Sequence, residues 1–335
     1  MANAKLKLLK ILEILSETDE DHPLTAAQIG DKLLLYGISA ERKSICRDIN
    51  ILKDDAGYDI ALSEDNKQGY YMVSRDFEDW ELKILIDAVW GAKFLTYESA
   101  EQLAQKLSKL TSAGSQRMLK AVTPVKLRIK SRNATTKINI DSVLKATKAN
   151  RKIAFQYTYT DTALKPQLRK DGMRYIVNPY ALIWQDEHYY LIGNYDKYSD
   201  LSYYRLDRMK SLSICDEPRK QAKEVLGDNA DLQIEEYVRA SLYRYGGERL
   251  RLKLFVKSYM VDDLIDFFGD EIRFIPVEDG FHVAVDVMES DGLYFWLLQY
   301  GEHMTIVEPE SVRAELVRRL DSIRKRYESE GEQHE

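Results

Sequence analysis

The first 75 residues carry three helix patterns and then two short strand patterns, an order typical of one small fold. Apolar residues at helical spacing predict a first helix over residues 6–16. Thr25, with Gln28 three residues later, predicts a capped second helix, and Ser39 is predicted to cap a third that runs to about residue 54. Two alternating segments, 59–62 and 69–73, flank a polar turn. Together these patterns predict a winged helix-turn-helix domain over residues 1–75.

The third predicted helix has two chemically different faces. Ile45, Ile49 and Leu52 fall on one stripe, because each residue advances about 100° around a helix. Lys43 and Arg47 fall on the opposite side together with Asn50, and Ala40 and Ser44 lie beside them. The pattern therefore predicts an apolar inner face and a polar, partly basic outer face.

This outer face has the chemistry of a DNA-contacting surface. Lys and Arg bind phosphate oxygens or guanine edges, and Asn bonds to adenine. An inert, solvated basic face is the alternative, and the net charge of −3 over residues 1–75 supports that alternative. The order of helices and hairpin favours DNA contact. The predicted DNA-binding residues are Ser39, Arg42, Lys43, Ser44, Arg47, Asn50 and, in the hairpin, Lys67.

Composition indicates a globular chain of two or three domains. Its 335 residues are 44% apolar and 31% charged, and no stretch reaches the ~18–20 uncharged apolar residues of a membrane span. The N-terminus lacks the apolar core and cleavage site of a signal peptide. The two cysteines are far apart in sequence and predict neither a disulfide framework nor a metal site. We therefore predict a cytoplasmic protein with no membrane contact, metal or cofactor.

Residues 76–137 read as a helical linker. Helices are predicted over 77–95, 100–110 and 115–122, and Pro124 stops the last one. Residues 102–137 contain nine Lys and Arg but no Asp or Glu. Two interpretations stay open: this basic segment lines a nucleic-acid channel, or it is a solvated helix face that packs on acidic parts of the same chain.

Residues 138–216 change to a strand pattern. A short helix over 140–149 is followed by five segments in which Val, Ile and Tyr alternate with polar residues: 153–159, 173–184, 188–195, 201–206 and 209–215. Short consecutive strands with polar turns predict a small, strongly bent sheet or barrel.

This strand region contains residues suited to an anionic ligand. Long cations in or beside a strand are costly unless paired or functional, and tyrosines offer faces for base stacking and hydroxyls for phosphate. The alternative is that most tyrosines are core and that Arg208 simply pairs with Asp207 or another acid. Trp184 and Leu191 are predicted to be core. The predicted ligand-binding residues are Tyr157, Tyr159, His188, Tyr190, Tyr204, Arg205 and Arg208.

Residues 217–335 read as a polar linker followed by an α/β domain. After a helix over 231–243, the patterns follow the order β-α-β-β-α-β plus a long helix, which predicts a ferredoxin-like layer. Residues 216–335 carry sixteen Lys and Arg against twenty-seven Asp and Glu, which disfavours direct DNA contact. The Trp296, Leu297 and Leu298 patch is predicted to be core.

Two stretches resemble a known family, the bacterial regulators with a C-terminal WYL domain. The first is GISAERKSICRDINILKDDAGYDI, which keeps Arg47-Asp48-Ile49 but has Lys43-Ser44 and Cys46 where the family usually has Arg-Thr and an aromatic residue. The second is NPYALIWQDEHYYLIGNYDKYSDLSYYRLDRM, which contains Trp184, Tyr190 and Leu191. The resemblance implies a winged helix-turn-helix head, a helical linker, an Sm-like WYL barrel that senses an anionic ligand, and a C-terminal extension that helps dimerisation.

We therefore predict a multidomain α+β protein: winged helix-turn-helix head, helical linker, Sm-like β-barrel and ferredoxin-like C-terminal domain. The predicted function is a ligand-responsive regulator that binds double-stranded DNA as a homodimer on a palindromic operator. Its expected ligand is anionic, with a nucleotide or oligonucleotide among the candidates. An RNA-binding or single-strand-binding module that acts through the barrel is the alternative. The sequence lacks the common catalytic motifs, and no enzyme is predicted.

Overall fold

The computed structural model describes residues 2–63, 69–121, 130–131, 133–198, 200–227 and 229–331. The chain forms two compact units, Met1–Lys137 with Asp186–His188, and Ile138–Gln185 with Tyr189–Glu335. Helices and strands occur in both, so the predicted multidomain α+β class is confirmed. None of the helices in the described ranges combines the length and apolar character that a membrane crossing requires.

The first unit begins with a head of three helices and a hairpin. Its helices are α1 (Ala2–Ser16), α2 (Ala26–Leu34) and α3 (Arg42–Asn50), and α3 continues into a π-helical turn, Ile51–Asp55. Strands β1 (Ile60–Leu62) and β2 (Tyr70–Met72) pair antiparallel, with Ile60 opposite Met72. All these elements share one apolar core, which includes Ile11, Leu15, Ile29, Leu33, Ile45, Ile49, Leu52, Ile60 and Met72. The element order is the predicted one.

Helix capping in the head is partly as predicted. The Thr25 hydroxyl accepts a hydrogen bond from the Gln28 amide at 3.3 Å, and the Gln28 side chain accepts one from the Thr25 amide at 2.8 Å, so the capping box is confirmed. The prediction that Ser39 caps the third helix is wrong, because α3 begins after Glu41. Ile38 is buried and its amide donates to the Leu33 carbonyl, which keeps the chain in a turn past Ser39.

Three linker helices follow the head in the same unit. They are α4 (Asp79–Gly91), α5 (Tyr97–Ser108) and α6 (Ala113–Ala121), close to the predicted segments. Leu82, Ile86, Ala104 and Leu119 form their common core. Within the basic segment 102–137, residues 122–129 and 132 lie outside the described residues.

Hydroxyl–carboxylate hydrogen bonds join α6 to the head and to α4. Asp79 accepts from the hydroxyls of Thr111 at 2.7 Å and Ser115 at 2.5 Å. Asp19, in the connection between α1 and α2, accepts from the Ser112 hydroxyl. The Ala113 amide also donates to the carbonyl of Glu17, at 2.9 Å. The start of α6 is therefore fixed to the α1–α2 connection of the head.

The second region of strands is built around one long strand. After helix α7 (Thr136–Lys148) come β3 (Arg151–Thr160), β4 (Pro166–Leu168), β5 (Arg174–Gln185), β6 (His188–Tyr195), β7 (Leu201–Arg205) and β8 (Met209–Pro218). Their order is β4-β3-β5-β6-β7, and β8 also pairs with β3. Strand β4 was not predicted, because its three exposed residues lack any alternation. Closure of this sheet into an Sm-like barrel stays a prediction.

The C-terminal region has a four-stranded sheet. Helices α8 (Ala222–Leu226) and α9 (Ala230–Ala240) precede β9 (Glu248–Lys257), α10 (Val261–Phe268), β10 (Ile275–Val277), β11 (Gly280–Glu289), α11 (Asp291–Gln299), β12 (Met304–Glu308) and α12 (Glu310–Gly331). The strand order is β10-β11-β9-β12, with all pairs antiparallel. The succession of elements is the predicted β-α-β-β-α-β plus helix. Trp296 and Leu297 are buried in its core, as predicted.

A mostly apolar contact joins the two sheets of the second unit. Tyr237 on α9 stacks on Tyr203 of β7, with ring centroids 5.1 Å apart and planes at 19°. The Tyr237 hydroxyl donates to the carbonyl of Leu201 at 3.1 Å. Ile192 of β6 and Met288 of β11 lie in the same buried cluster. Strands of both sheets therefore share one small core.

Candidate DNA-contacting and ligand-binding sites

The two faces of α3 are arranged as the sequence predicts. Ile45 and Ile49 are each 1% exposed, and Leu52 beyond the end of α3 is also buried. The polar residues of the other face are exposed, and a shallow surface depression of about 480 Å³ lies among them. Its lining consists of Arg42, Lys43, Cys46, Arg47 and Asn50. This face can offer three cations and one amide to a partner.

The remaining predicted DNA-binding residues lie elsewhere. Ser39 is exposed in the turn before α3. Ser44 is half-buried, and its hydroxyl accepts a hydrogen bond from Lys7 of α1 at 2.5 Å. Lys7 also pairs with Asp48 at 2.9 Å, so Ser44 lies on the side of α3 that contacts α1 rather than on the open face. Lys67 lies outside the described residues.

The second candidate site centres on Tyr190, which is buried on β6. Tyr190 lies directly opposite Arg205 in the β6–β7 pairing. The Tyr157 hydroxyl accepts a hydrogen bond from the Arg205 backbone amide at 2.9 Å. The guanidinium carbon of Arg244 lies 5.2 Å from the centroid of the Tyr190 ring, within the range of a cation–π contact. Residues from three separate parts of the second unit therefore meet at Tyr190.

Asp207 forms an ion pair with Arg205 and not with Arg208. Its Nε and Nη2 donate to the two carboxylate oxygens of Asp207 at 3.1 and 2.8 Å. Arg208 is exposed, and none of the carboxylates in the described part of the chain pairs with it. The interpretation of Arg208 as the partner of Asp207 is therefore wrong. The chain turns after Arg205 into a short 3-10 helix, which brings Asp207 back to the preceding arginine.

Burial and charge set the protonation of these groups. Burial raises the pKa of Tyr190 above its ordinary value, although the charges of Arg205 and Arg208 lower it, so the phenol stays protonated at neutral pH. Burial alone would lower the pKa of Arg205, but Asp207 raises it. Burial lowers the pKa of Arg244, which stays charged because a free guanidinium loses its proton only above about pH 12. Among the described residues, Tyr190 contributes a neutral phenol to this site, Asp207 contributes a carboxylate, and guanidinium groups come from Arg205, Arg208 and Arg244.

The other predicted ligand-binding residues differ in burial and position: Tyr157, Tyr159, His188 and Tyr204. Tyr204 points into the apolar core with Phe155 and Leu191, so its ring is not available to a ligand. Tyr157 is buried too, and its hydroxyl is the part near Arg205. Tyr159 is 47% exposed near the end of β3, opposite Gln167. His188 begins β6 but belongs to the other compact unit.

Family comparisons identify both regions of the second unit. The model for the WYL domain matches residues 139–214, and the model for the WCX domain matches residues 248–323. The chain therefore contains a WYL domain and a WCX domain. The resemblance stated from the sequence is thereby confirmed, and the Tyr190 site lies in the WYL domain.

Similarity to a named relative and to solved structures is distant. An "Uncharacterized HTH-type transcriptional regulator YobV" of Bacillus subtilis (strain 168) is 23% identical over 183 residues, which are 54% of this chain and 53% of that protein. The chain thus spans about half the length of this relative. Proteasome accessory factor B/C (PafBC) of Arthrobacter aurescens is 17% identical, with 93% of this chain and 47% of that chain covered and a TM-score of 0.30. A CRISPR Cas-related protein of known crystal structure is 16% identical, with 97% of this chain and 86% of that chain covered and a TM-score of 0.39. Such TM-scores do not establish a shared overall arrangement.

The sequence did not indicate that Arg244 lies beside Tyr190, and the prediction for Trp184, elsewhere in the WYL domain, is wrong. Arg244 lies beyond the WYL match, in a 3-10 turn with positive φ angles at Tyr243 and Arg244, and nothing in the pattern YRYGG indicates that it reaches Tyr190. Trp184 was predicted to be core but is 47% exposed, because it lies near the end of β5. Leu191 is fully buried, as predicted. In the described ranges, no group of three or more His, Cys, Asp or Glu is placed to hold a metal ion.

Proposed function

We propose that this WYL-domain chain is a ligand-responsive, DNA-binding transcription regulator without catalytic activity. The observation that carries the proposal is the exposed face of α3, where Arg42, Lys43, Arg47 and Asn50 surround one depression while the isoleucines of the same helix are buried. The name of its Bacillus relative, an HTH-type transcriptional regulator, supports the same interpretation. Double-stranded DNA is the partner that this face fits.

Each polar residue on α3 has a role in this proposal. Arg47 and Lys43 bind phosphate oxygens or the edge of guanine, and Asn50 pairs with adenine in the major groove. Arg42 and Ser39, near the start of α3, contact the sugar-phosphate backbone of the DNA, and Lys67 contacts a flanking DNA phosphate. Ser44 contributes by holding Lys7, which steadies α3 against α1. A homodimer would place two such helices on half-sites about one helical turn apart.

The WYL domain is the proposed sensor. Arg205, Arg208 and Arg244 bring guanidinium groups to the Tyr190 site, and such groups bind carboxylate and phosphate oxygens, so an anion is the ligand that fits best. Such a ligand would compete with Asp207 for the guanidinium of Arg205. Nucleotides and short oligonucleotides also present bases, for which Tyr159 offers an exposed ring.

The DNA-binding proposal is tested by the salt dependence of operator binding. A labelled duplex from upstream of the protein's own gene is titrated with the full chain at several salt concentrations, beside single-stranded RNA of equal length. Lys43→Ala should flatten the slope of log affinity against log salt by about one unit, because one phosphate contact is lost. The exposed Lys325→Ala on α12 removes the same charge and should leave the slope unchanged. Preference for RNA over duplex, or an unchanged slope in Lys43→Ala, would overturn the assignment.

A further inference from the structure

One face of the WCX sheet is mostly polar along β9, and Met288 of β11 is buried at one end of that face. On β9, Leu252, Leu254 and Val256 alternate into the core. The residues between them project from the opposite face and are exposed or half-buried. They are Arg249, Arg251, Lys253, Phe255 and Lys257. A single strand therefore presents four cations and one aromatic ring in a row on the open side of the sheet.

A groove of about 450 Å³ runs over this open face. The end of α9 and the segment after α10 form its walls, and strands β9 and β11 contribute its floor. Its Lys and Arg outnumber its acids by five to three: Arg239, Arg249, Arg251, Lys253 and Arg273 against Glu236, Glu271 and Asp286. Residues 216–335 as a whole carry an excess of eleven acids, so the groove is a local reversal of charge. Such a reversal fits a polyanion.

Aromatic rings lie on the same face, on the two central strands. Phe255 of β9 is directly opposite His282 of β11, with ring centroids 6.2 Å apart and planes at 86°. His282 lines the groove, and Phe255 follows Lys253 along the strand. In RNA-recognition motifs, sheets of four antiparallel strands stack unpaired bases on aromatic residues of this kind. A Cβ at Gly280 would lie 2.2 Å from the carbonyl oxygen of Val256 and 3.0 Å from the Phe255 ring, so glycine there permits the close approach of β11 to β9 beside that ring.

The ion pairs on this face leave its cations available. Arg249 and Arg251 share Asp286, at 3.4 and 2.9 Å, and Arg249 also bonds to Glu236. These pairs are exposed, and exposed pairs contribute little, so phosphate can replace the carboxylates. Arg273 and Lys257 have no ion-pair partner in the part of the chain that the structure describes.

We propose that this groove of the WCX domain binds a short single-stranded nucleic acid. Its phosphates would lie against Arg251, Lys253 and Lys257, and its bases would stack on Phe255 and His282. Every one of these residues lies outside the WYL match and outside α3. The proposal therefore does not depend on the function assigned above.

Binding of fluorescein-labelled oligothymidine of ten nucleotides to the full chain tests the proposal. Arg251→Gln with Lys253→Gln should weaken binding at least about fivefold and reduce the salt slope by about 1.4, which corresponds to two single-strand phosphate contacts. Phe255→Leu keeps an apolar side chain but removes the stacking ring, and should also weaken binding at least about fivefold. Arg318→Gln with Arg324→Gln on α12 removes two exposed, carboxylate-paired cations and should change neither quantity.

Four results would overturn the proposal. One is failure of the wild-type chain to bind the oligonucleotide, and a second is an equal loss of binding in the α12 control. A third is a Phe255→Leu variant with full affinity, since the face would then bind polyanions without stacking on bases. The fourth is a change of oligomeric state in the groove variant with unchanged binding, which would make the face an interface between copies.

Photocrosslinking separates this site from the WYL site. Oligothymidine with bromodeoxyuridine should crosslink to peptides that contain Phe255 or His282, and crosslinks confined to residues 189–208 would overturn the proposal while leaving the sensor assignment intact. Operator binding by the Arg251→Gln, Lys253→Gln variant should stay within about twofold of wild type. Failure of the wild-type chain to bind operator DNA would contradict only the proposal that α3 binds DNA, and it would leave the proposal for the WCX groove intact.

Discussion

The guanidinium of Arg205 holds the carboxylate of Asp207 in a two-point ion pair, with donor–acceptor distances of 3.1 and 2.8 Å. Both side chains are half-buried, so the pair is shielded from solvent more than a surface pair would be. An anion that reaches Tyr190 meets an arginine that already has a partner. In the proposed sensor, Asp207 would therefore limit the affinity of the WYL site for an anion.

Replacement of Asp207 by Asn should tighten anion binding. The variant Asp207→Asn removes the competing charge and keeps the size of the side chain, so affinity for pyrophosphate should rise roughly tenfold, in keeping with a charge-assisted hydrogen bond of about 1.5–3 kcal/mol. Calorimetric titration measures the change. Arg205→Gln in the same background should remove the gain, whereas equal affinity in wild type and Asp207→Asn would contradict the competition.

The contact between Arg244 and Tyr190 should be measurable as a coupling free energy. A double-mutant cycle with Arg244→Met and Tyr190→Leu, followed by urea unfolding, should give a coupling of about 0.5–2 kcal/mol for a partly buried cation–π pair. Tyr190→Phe keeps the ring and should retain most of the coupling. Additive effects of the two substitutions would show that the ring and the guanidinium do not interact.

The joint between the head and α6 should weaken in acid. Burial alone would raise the pKa of Asp19, but hydrogen bonds from Ser112 and His22 hold it below its ordinary value. A depressed pKa means that this stabilisation is complete above the ordinary Asp pKa of about 4 and is lost as pH falls through the folded value. Asp19→Asn should therefore lower the Tm at pH 6 but approach the wild-type Tm near pH 3. Asp21→Asn, at an exposed neighbouring position, is the control for the loss of one carboxylate.

The two faces of α3 should separate stability from DNA binding. Ile49→Ala should lower the free energy of unfolding by about 2–5 kcal/mol, because it leaves a cavity in the core of the head. Lys43→Ala should change it by less than about 0.5 kcal/mol, because the side chain is exposed. Chemical denaturation checks both values. A large loss of stability in Lys43→Ala would indicate a packing role instead of a role in DNA contact.

Local patterns predict the elements of this chain well, and contacts between distant segments poorly. The Thr25 capping box and the buried stripe of α3 could be predicted from the sequence because each depends on residues within one or two helical turns of each other. Ser39 looks like an equally good cap, yet burial of Ile38 moves the helix start beyond it. A local signal is thus overruled when a neighbouring residue has a stronger packing requirement.

The WYL site depends on such distant contacts. The sequence indicated Tyr190, Arg205 and Arg208 but not which arginine pairs with Asp207, since that depends on the 3-10 turn after β7. Arg244 lies more than fifty residues from Tyr190 in a segment without periodicity. Its place follows from tertiary packing alone, which one sequence does not reveal.

The stack of Tyr203 on Tyr237 has a consequence for how the second unit folds. Tyr203 lies within the WYL match, whereas Tyr237 lies on α9 in the segment before the WCX match. Separation of the two sheets would expose both rings together with Ile192 and Met288. A fragment cut between the two matches would therefore lose part of its own interior, and we expect the two domains to unfold together.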